Sequence, residues 1–126
     1  MKIKSIAGVT YYVTDLAKTI DFYEKLGFNF KVKEEDHATA YINWAWIDFV
    51  ATTNDDKPHY SNTDDDKMKS VGAYTYLTVD SIEDTYEELI SLGFEPAIEP
   101  TKTISGNIEI VLQDPDGYNL VFFRRK

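Results

Sequence analysis

The spacing of apolar residues divides the first half of the chain into strands around one helix. Residues 6–13 are rich in Val, Tyr and Thr, which predicts a strand. From Leu16 to Leu26, apolar residues recur at spacings of three and four. This pattern predicts an amphipathic helix that Asp15 caps and Gly27 ends. Three more strands are predicted after the helix, at residues 28–33, 38–43 and 46–52.

Polar segments lie between and after these strands. Residues 34–37, Glu-Glu-Asp-His, predict a turn, and residues 43–45 connect the next two strands. Residues 54–70 contain many Asp, Asn and Lys residues and few apolar ones. A solvated acidic linker is therefore predicted there.

The strand and helix pattern then begins again. Residues 72–79 predict a strand. Asp80, with Glu83 three residues later, predicts a capped start for a second helix, which ends at Gly93. Residues 94–98 predict a further strand, which is short or lies at a sheet edge because it contains a proline.

The sequence Asp-Pro-Asp-Gly at residues 114–117 predicts a tight turn near the end of the chain. Proline presets φ at the second turn position, and Gly117 can adopt a positive φ. The turn separates two apolar runs, residues 108–112 and 120–123, which predicts a β-hairpin. Because a lone hairpin is barely stable in water, this one must belong to a larger sheet.

These elements form an internal repeat. Residues 11–15 match residues 76–80 at an offset of 65, and residues 26–28 match residues 92–94 at an offset of 66. The first helical segment is therefore predicted to be one residue shorter than the second. Each copy reads as strand, helix and three strands, a βαβββ module.

The predicted fold class is α+β, with two tandem βαβββ modules in a single domain. The first module spans residues 1–53, the acidic linker spans residues 54–70, and the second module spans residues 71–126. A βαβββ module has a helix on one face of its sheet and a bare, curved face on the other. The two curved sheets are predicted to enclose a cavity.

Composition narrows the class of protein. The 126 residues suit one domain, and the net charge of −9 argues against a nucleic-acid partner. The absence of cysteine excludes disulfides and thiolate chemistry. No stretch has the ~20 apolar residues of a membrane span, and the first residues lack a signal-peptide pattern. A cytoplasmic protein with no membrane partner is predicted.

The repeat resembles the vicinal oxygen chelate superfamily, which includes glyoxalase I, the bleomycin-resistance proteins and the extradiol dioxygenases. The resemblance is carried by residues 13–16 and 22–28 in the first module, 79–80 and 92–94 in the second, and 114–118 in the final hairpin. It covers nearly the whole chain outside the linker, and it implies a homodimer.

The enzymes of this superfamily hold one divalent metal with His and Glu ligands from both modules. The resemblance places the four ligand positions at Gly8, Asp48, Tyr74 and Val121. Only Asp48 carries a suitable donor, since glycine and valine have none and a neutral phenol is a poor ligand. We therefore predict no metal and no cofactor.

The two histidines do not change this prediction. His37 falls in the predicted turn at residues 34–37, and His59 falls in the linker, so neither occupies a predicted inward strand position. Asp64, Asp65 and Asp66 lack the glycine and the spaced ligands of a calcium loop.

Strand alternation from the four ligand positions gives a predicted cavity lining. The predicted ligand-binding residues are Tyr12, Trp46, Asp48, Tyr74, Tyr76 and Phe123. Ordinary core packing is the alternative for each aromatic residue. A buried carboxylate must be protonated, hydrogen-bonded or paired with a cation. A cavity lined by aromatic rings and one carboxylate therefore suits a flat, cationic or aromatic ligand.

Two functions follow from this lining. The first is a metal-free small-molecule binding protein of the bleomycin-resistance type, which sequesters its ligand without a reaction. The alternative is a lyase, isomerase or dioxygenase of the superfamily with a displaced metal or metal-free acid–base chemistry. In that enzyme Asp48 would be the base and Tyr74 or Tyr76 the acid. An interaction role without a dedicated ligand also stays open.

Overall fold

The computed structural model describes residues 1–52 and 72–124. The chain divides into two compact units, Met1–Asp66 and Lys67–Lys126. The predicted linker, with His59 and the aspartates at residues 64–66, lies outside the described residues. No helix within residues 1–52 and 72–124 is long and apolar enough to cross a membrane.

The first unit contains the predicted βαβββ module. Its four strands form one sheet, sheet A, in the order β1-β4-β3-β2. Strand β1 runs parallel to β4, and the other neighbours are antiparallel. The elements are β1 (Gly8–Val13), α1 (Leu16–Lys25), β2 (Asn29–Lys33), β3 (His37–Ile42) and β4 (Ala45–Ala51).

Aromatic residues fill the space between α1 and sheet A. Tyr23 of α1 and Phe49 of β4 are both fully buried, and their ring centroids are 4.6 Å apart. Tyr11 and Phe30 each place a ring centroid 5.7 Å from that of Phe49, on either side of β4. Phe28 contacts Tyr23 with a centroid distance of 4.9 Å. One face of sheet A is therefore sealed by its own helix.

The second unit repeats this arrangement. Its strands form sheet B in the order β5-β8-β7-β6, with β5 parallel to β8. The fold class is α+β, as predicted. The elements are β5 (Tyr74–Thr78), α2 (Ile82–Ser91), β6 (Ile98–Lys102), β7 (Ile108–Gln113) and β8 (Asn119–Phe123).

The predicted turn at residues 114–117 connects β7 to β8. Gly117 has a φ of 88°, which a side chain would disfavour. The buried Asp114 side chain accepts hydrogen bonds from the backbone N–H groups of Asp116 and Tyr118, each at 2.9 Å. The closing hairpin is therefore confirmed, and the Asp114 carboxylate adds two hydrogen bonds to the backbone hydrogen bonds of its turn.

The structure corrects the phase of the repeat. The residue that caps α2 is Ser81 and not Asp80, because the Ser81 hydroxyl accepts a hydrogen bond from the Asp84 N–H at 3.1 Å. In α1, Asp15 caps as predicted and accepts from the Lys18 N–H at 3.1 Å. The caps are thus 66 residues apart, and both helices have ten residues. The predicted offset of 65 and the shorter first helix were wrong.

Three strand boundaries also differ from the prediction. Residues 94–97 are not a strand, and β6 begins at Ile98. His37 is the first residue of β3 and not part of the preceding turn. Ala45 belongs to β4 and pairs with Ile42, so a two-residue turn, Asn43-Trp44, connects β3 to β4. Asn43 adopts a φ of 55°, a conformation that asparagine tolerates.

Replacing Ser81 with alanine is expected to lower the free energy of unfolding by about 1 kcal/mol, because the first turn of α2 loses its side-chain acceptor. Thermal melts should show a fall in Tm of about 3–5 °C. Asp80→Ala is the matched control and should change stability by less than about 0.5 kcal/mol. A larger loss for Asp80→Ala than for Ser81→Ala would show that Asp80 is the true cap.

Candidate functional site

The face of sheet A turned away from α1, its distal face, carries the candidate residues of the first unit. Residues paired directly across neighbouring strands point to the same face of a sheet. The face opposite the buried Phe49 therefore presents three rows across β1, β4 and β3. These rows are Gly8–Trp46–Tyr41, Thr10–Asp48–Thr39 and Tyr12–Val50–His37.

Asp48 lies at the centre of this distal face. Its Oδ1 atom accepts a hydrogen bond from the Thr39 hydroxyl at 3.0 Å. The carboxylate is half-buried, so one hydroxyl stabilises it while part of its hydrogen-bonding capacity is left for a ligand. The Asp48 side chain is therefore hydrogen-bonded, one of the three states expected for it.

The Trp46 ring covers Gly8. A Cβ atom at position 8 would overlap the six-membered ring of Trp46 and its backbone carbonyl oxygen. A larger side chain at position 8 and the present position of Trp46 therefore exclude each other. The indole occupies space that a histidine at position 8 would need.

Two residues of this face were missed by sequence reasoning. Tyr41 pairs with Trp46 across β3 and β4, and the Lys31 ammonium lies 5.6 Å from the centroid of its ring. Thr39 supplies the hydrogen bond to Asp48. A two-residue turn at Asn43 would have predicted both pairings, because it sets the register of β3 against β4.

His37 also lies on the distal face of sheet A. The prediction that His37 falls in a turn, away from this face, is therefore wrong. His37 pairs with Val50, one row from Asp48. The Asp36 carboxylate, 2.9 Å from its Nδ1 atom, raises the pKa of His37. Burial opposes this effect, and the negative charges of Asp48, Asp36 and Glu34 add to it. The same hydrogen bond lowers the pKa of Asp36.

Replacing Asp36 with asparagine is expected to lower the pKa of His37 toward about 6.5, its ordinary value. An NMR titration of the His37 ring protons measures this shift directly. An unchanged titration would show that Asp36 does not hold the imidazole in solution.

The contribution of this pair to folding has a defined pH window. It is present below the ordinary pKa of histidine and is lost as pH rises through the raised pKa of His37. It is also lost as pH falls through the lowered pKa of Asp36. The His37 and Asp36 side chains are 37% and 52% exposed, so the effect on Tm should be small and confined to that window.

The distal face of sheet B carries the candidate residues of the second unit. Its three rows are Tyr74–Asn119–Gln113, Tyr76–Val121–Val111 and Thr78–Phe123–Glu109. The rings of Tyr76 and Phe123 meet edge to face at a centroid distance of 5.5 Å. Tyr74 and Tyr76 are 53% and 54% exposed, so ring surface on this face is accessible to solvent.

The structure thus brings the six predicted site residues together in two sets. Tyr12, Trp46 and Asp48 share the distal face of sheet A. Tyr74, Tyr76 and Phe123 share the distal face of sheet B. Tyr12 is only 8% exposed, which gives it less accessible surface than the two tyrosines of the second unit.

Two consecutive βαβββ modules, each with a helix on one sheet face, define the class of protein. The chain belongs to the Glyoxalase/Bleomycin resistance protein/Dioxygenase superfamily, whose sequence profile matches residues 5–122. This bears out the resemblance stated from the motifs. The curated proteins include no match to the sequence.

Solved structures share the fold at low sequence identity. A bleomycin-binding protein complexed with bleomycin has 20% identity and a TM-score of 0.69, covering 98% of this chain and 100% of its own. A bleomycin resistance determinant encoded on the transposon Tn5 has 19% identity and a TM-score of 0.74, covering 98% and 99%. An integron cassette protein from the mobile metagenome of V. cholerae has 20% identity and a TM-score of 0.80, covering 100% and 98%.

The residues at the four metal positions implied by the superfamily do not fit a metal. Gly8 has no donor and no room for one beneath Trp46. Val121 is 1% exposed and offers no ligand atom, and Tyr74 offers only a phenol. Within residues 1–52 and 72–124, no three His, Cys, Asp or Glu side chains are grouped to hold a metal ion.

Proposed function

We propose that this protein is a metal-free small-molecule binding protein of the bleomycin-resistance type. It binds a flat, cationic aromatic ligand and acts by sequestration. The observation that carries the proposal is Asp48, a single carboxylate at the centre of a sheet face, with Trp46, Tyr12 and Tyr41 in the adjoining rows.

The chemistry of this face suits a cation. Each ring that a ligand cation contacts contributes about 0.5–2 kcal/mol of cation–π attraction. Asp48 offers a charge-assisted hydrogen bond to a donor on the ligand, and such bonds are stronger than neutral ones. The net charge of −9 speeds the approach of cations to the protein.

The distal face of sheet B offers an aromatic surface of its own. Tyr74 and Tyr76 present accessible ring surface, and Tyr76 is steadied by its edge contact with Phe123. One of the similar solved structures is a bleomycin-binding protein with bleomycin bound, and another is a bleomycin resistance determinant, so bleomycin is one candidate ligand for this chain. A homodimer and a cytoplasmic location remain predictions.

One observation favours a second candidate, a metal-free acid–base enzyme. His37 is held by Asp36 and lies one row from Asp48, so one sheet face carries a histidine and a carboxylate. Such a pair can exchange protons with a bound substrate near neutral pH. Asp48→Asn would abolish turnover in an enzyme of this kind and only weaken binding in a binding protein.

Thermal melts of metal-stripped protein against a panel of compounds test the proposed function. The panel contains divalent metals, a glyoxalase-type thiol adduct, catechols and cationic aromatic drugs including bleomycin. A ligand at 100 times its Kd stabilises the folded state by about 2.7 kcal/mol, a shift of several degrees. We expect shifts only with cationic aromatic compounds. A clear shift with one transition metal would overturn the metal-free assignment and favour an enzyme.

A further inference from the structure

A groove of about 330 Å³ lies on the helix side of sheet B, away from the distal faces described above. Its floor is apolar and includes Ile82, Tyr86 and Ile108. Glu83 and Glu87 stand on the α2 wall, and Lys102 stands on the opposite wall, in β6. Pro100 completes the lining.

The β6 wall of this groove has no counterpart in the first unit. The pair Val32–Thr39 of the first unit corresponds to the pair Ile98–Val111 of the second. The two hairpins can therefore be compared residue by residue from these pairs. Three residues then separate Lys33 from His37 in the first unit. Nine residues separate the equivalent Glu99 from Glu109 in the second. The longer β6–β7 hairpin therefore supplies Pro100, Lys102 and Ile108, and the groove is an addition to the repeated module.

Hydrogen bonds hold the end of this hairpin in place. The Thr103 N–H donates to the Asn107 carbonyl at 2.8 Å, and the Gly106 N–H donates to the Thr103 carbonyl at 2.9 Å. The Thr103 hydroxyl also donates to the Asn107 carbonyl at 3.2 Å. The wall that carries Lys102 is therefore preformed, as is usual for small-molecule sites.

Charges of opposite sign face the groove without pairing across it. Within the described part of the chain, no carboxylate lies within 4.0 Å of the Lys102 ammonium. Neither Glu83 nor Glu87 forms an ion pair within these described residues, and the Glu83 carboxylate accepts one hydrogen bond, from the Ser81 hydroxyl at 3.4 Å. A ligand that carries both charges and an apolar group would pair with both walls and cover the apolar floor between them.

We propose that this groove binds a zwitterionic amino acid with an apolar side chain. The ligand's ammonium group lies against Glu83 and Glu87, its carboxylate against Lys102, and its side chain against Ile82, Tyr86 and Ile108. The site is independent of the distal faces, so it can fail while the proposed function stands.

L-Phenylalanine is the probe, and two analogues each remove one charge from it. Phenethylamine lacks the carboxylate, and 3-phenylpropionate lacks the ammonium. Chemical-shift titrations of the folded protein should show L-phenylalanine perturbing Ile82, Tyr86 and Ile108, with each analogue binding at least about tenfold more weakly. Equal binding of either analogue, or no perturbation at these residues, would overturn the proposal.

Charge-removing variants assign each wall. Lys102→Met should weaken L-phenylalanine at least about fivefold and leave phenethylamine unchanged. Glu87→Gln should weaken L-phenylalanine by a similar factor and leave 3-phenylpropionate unchanged. Glu88→Gln is the matched control, since Glu88 neighbours Glu87 on α2 but does not line the groove. If Glu88→Gln weakened binding as much as Glu87→Gln, the effect would be general electrostatics and the site would be rejected.

Discussion

Replacing Phe49 with alanine is expected to lower the free energy of unfolding of the first unit by about 3–5 kcal/mol. Phe49 is fully buried and is contacted by the rings of Tyr11, Tyr23 and Phe30. These partners come from β1, α1 and β2, so one side chain joins three elements to β4. Removing it leaves a cavity that the surrounding rings cannot fill without leaving their rotamers.

Denaturant unfolding measures this loss directly, and a thermal melt should show Tm falling by roughly 10–20 °C. Phe49→Leu keeps much of the volume and should cost clearly less. Trp44→Ala is the surface control, since Trp44 is 77% exposed and its loss should change stability by less than about 0.5 kcal/mol. A change for Phe49→Ala as small as that for Trp44→Ala would mean that the aromatic cluster is not the core of the unit.

Replacing Trp46 with alanine is expected to weaken binding of a cationic aromatic ligand by about 2 kcal/mol or more, which is roughly 30-fold in Kd. Trp46 pairs with Tyr41 and covers Gly8, beside Asp48 along β4. Tryptophan is enriched among the residues that contribute most of the binding energy in a site, and Trp46 is a large, partly buried indole next to a carboxylate.

Calorimetric titration with bleomycin, or with the compound that gives the largest shift in the panel, measures the change. Trp44→Ala is again the matched control, because it removes the same side chain two residues away, at the turn before β4. It should leave Kd within about twofold. Equal affinities for the wild type and Trp46→Ala would remove Trp46 from the binding site and favour its role as a cover for Gly8.

The order of elements could be predicted because its signals are local. Apolar spacing, the Asp15 cap, and the Asp-Pro-Asp-Gly turn each act within a few residues of chain. The residue that caps α2 in the second module could not be predicted in this way. Asp80 and Ser81 are both good capping residues, so residue type does not distinguish them, and the structure shows that Ser81 is the cap.

Which residues lie on the distal faces depends on the register between neighbouring strands. Alternation places Tyr12 with Gly8 on β1 and Trp46 with Asp48 on β4, once the resemblance supplies one inward position on each strand. The pairing of β3 depended on the length of the turn before β4, which the sequence pattern made one residue too long. As a result Thr39, Tyr41 and His37 were missed, although Asn43 at the turn was the available signal.

The amino-acid sequence by itself therefore determined the α+β class and the two βαβββ modules. These properties follow from residue types and from interactions between neighbours along the chain. Only the tertiary structure decided that Thr39 binds Asp48, that Trp46 covers Gly8 and that His37 joins this face. Each of these contacts joins residues on different strands, and their meeting depends on register and side-chain packing, which no local pattern specifies.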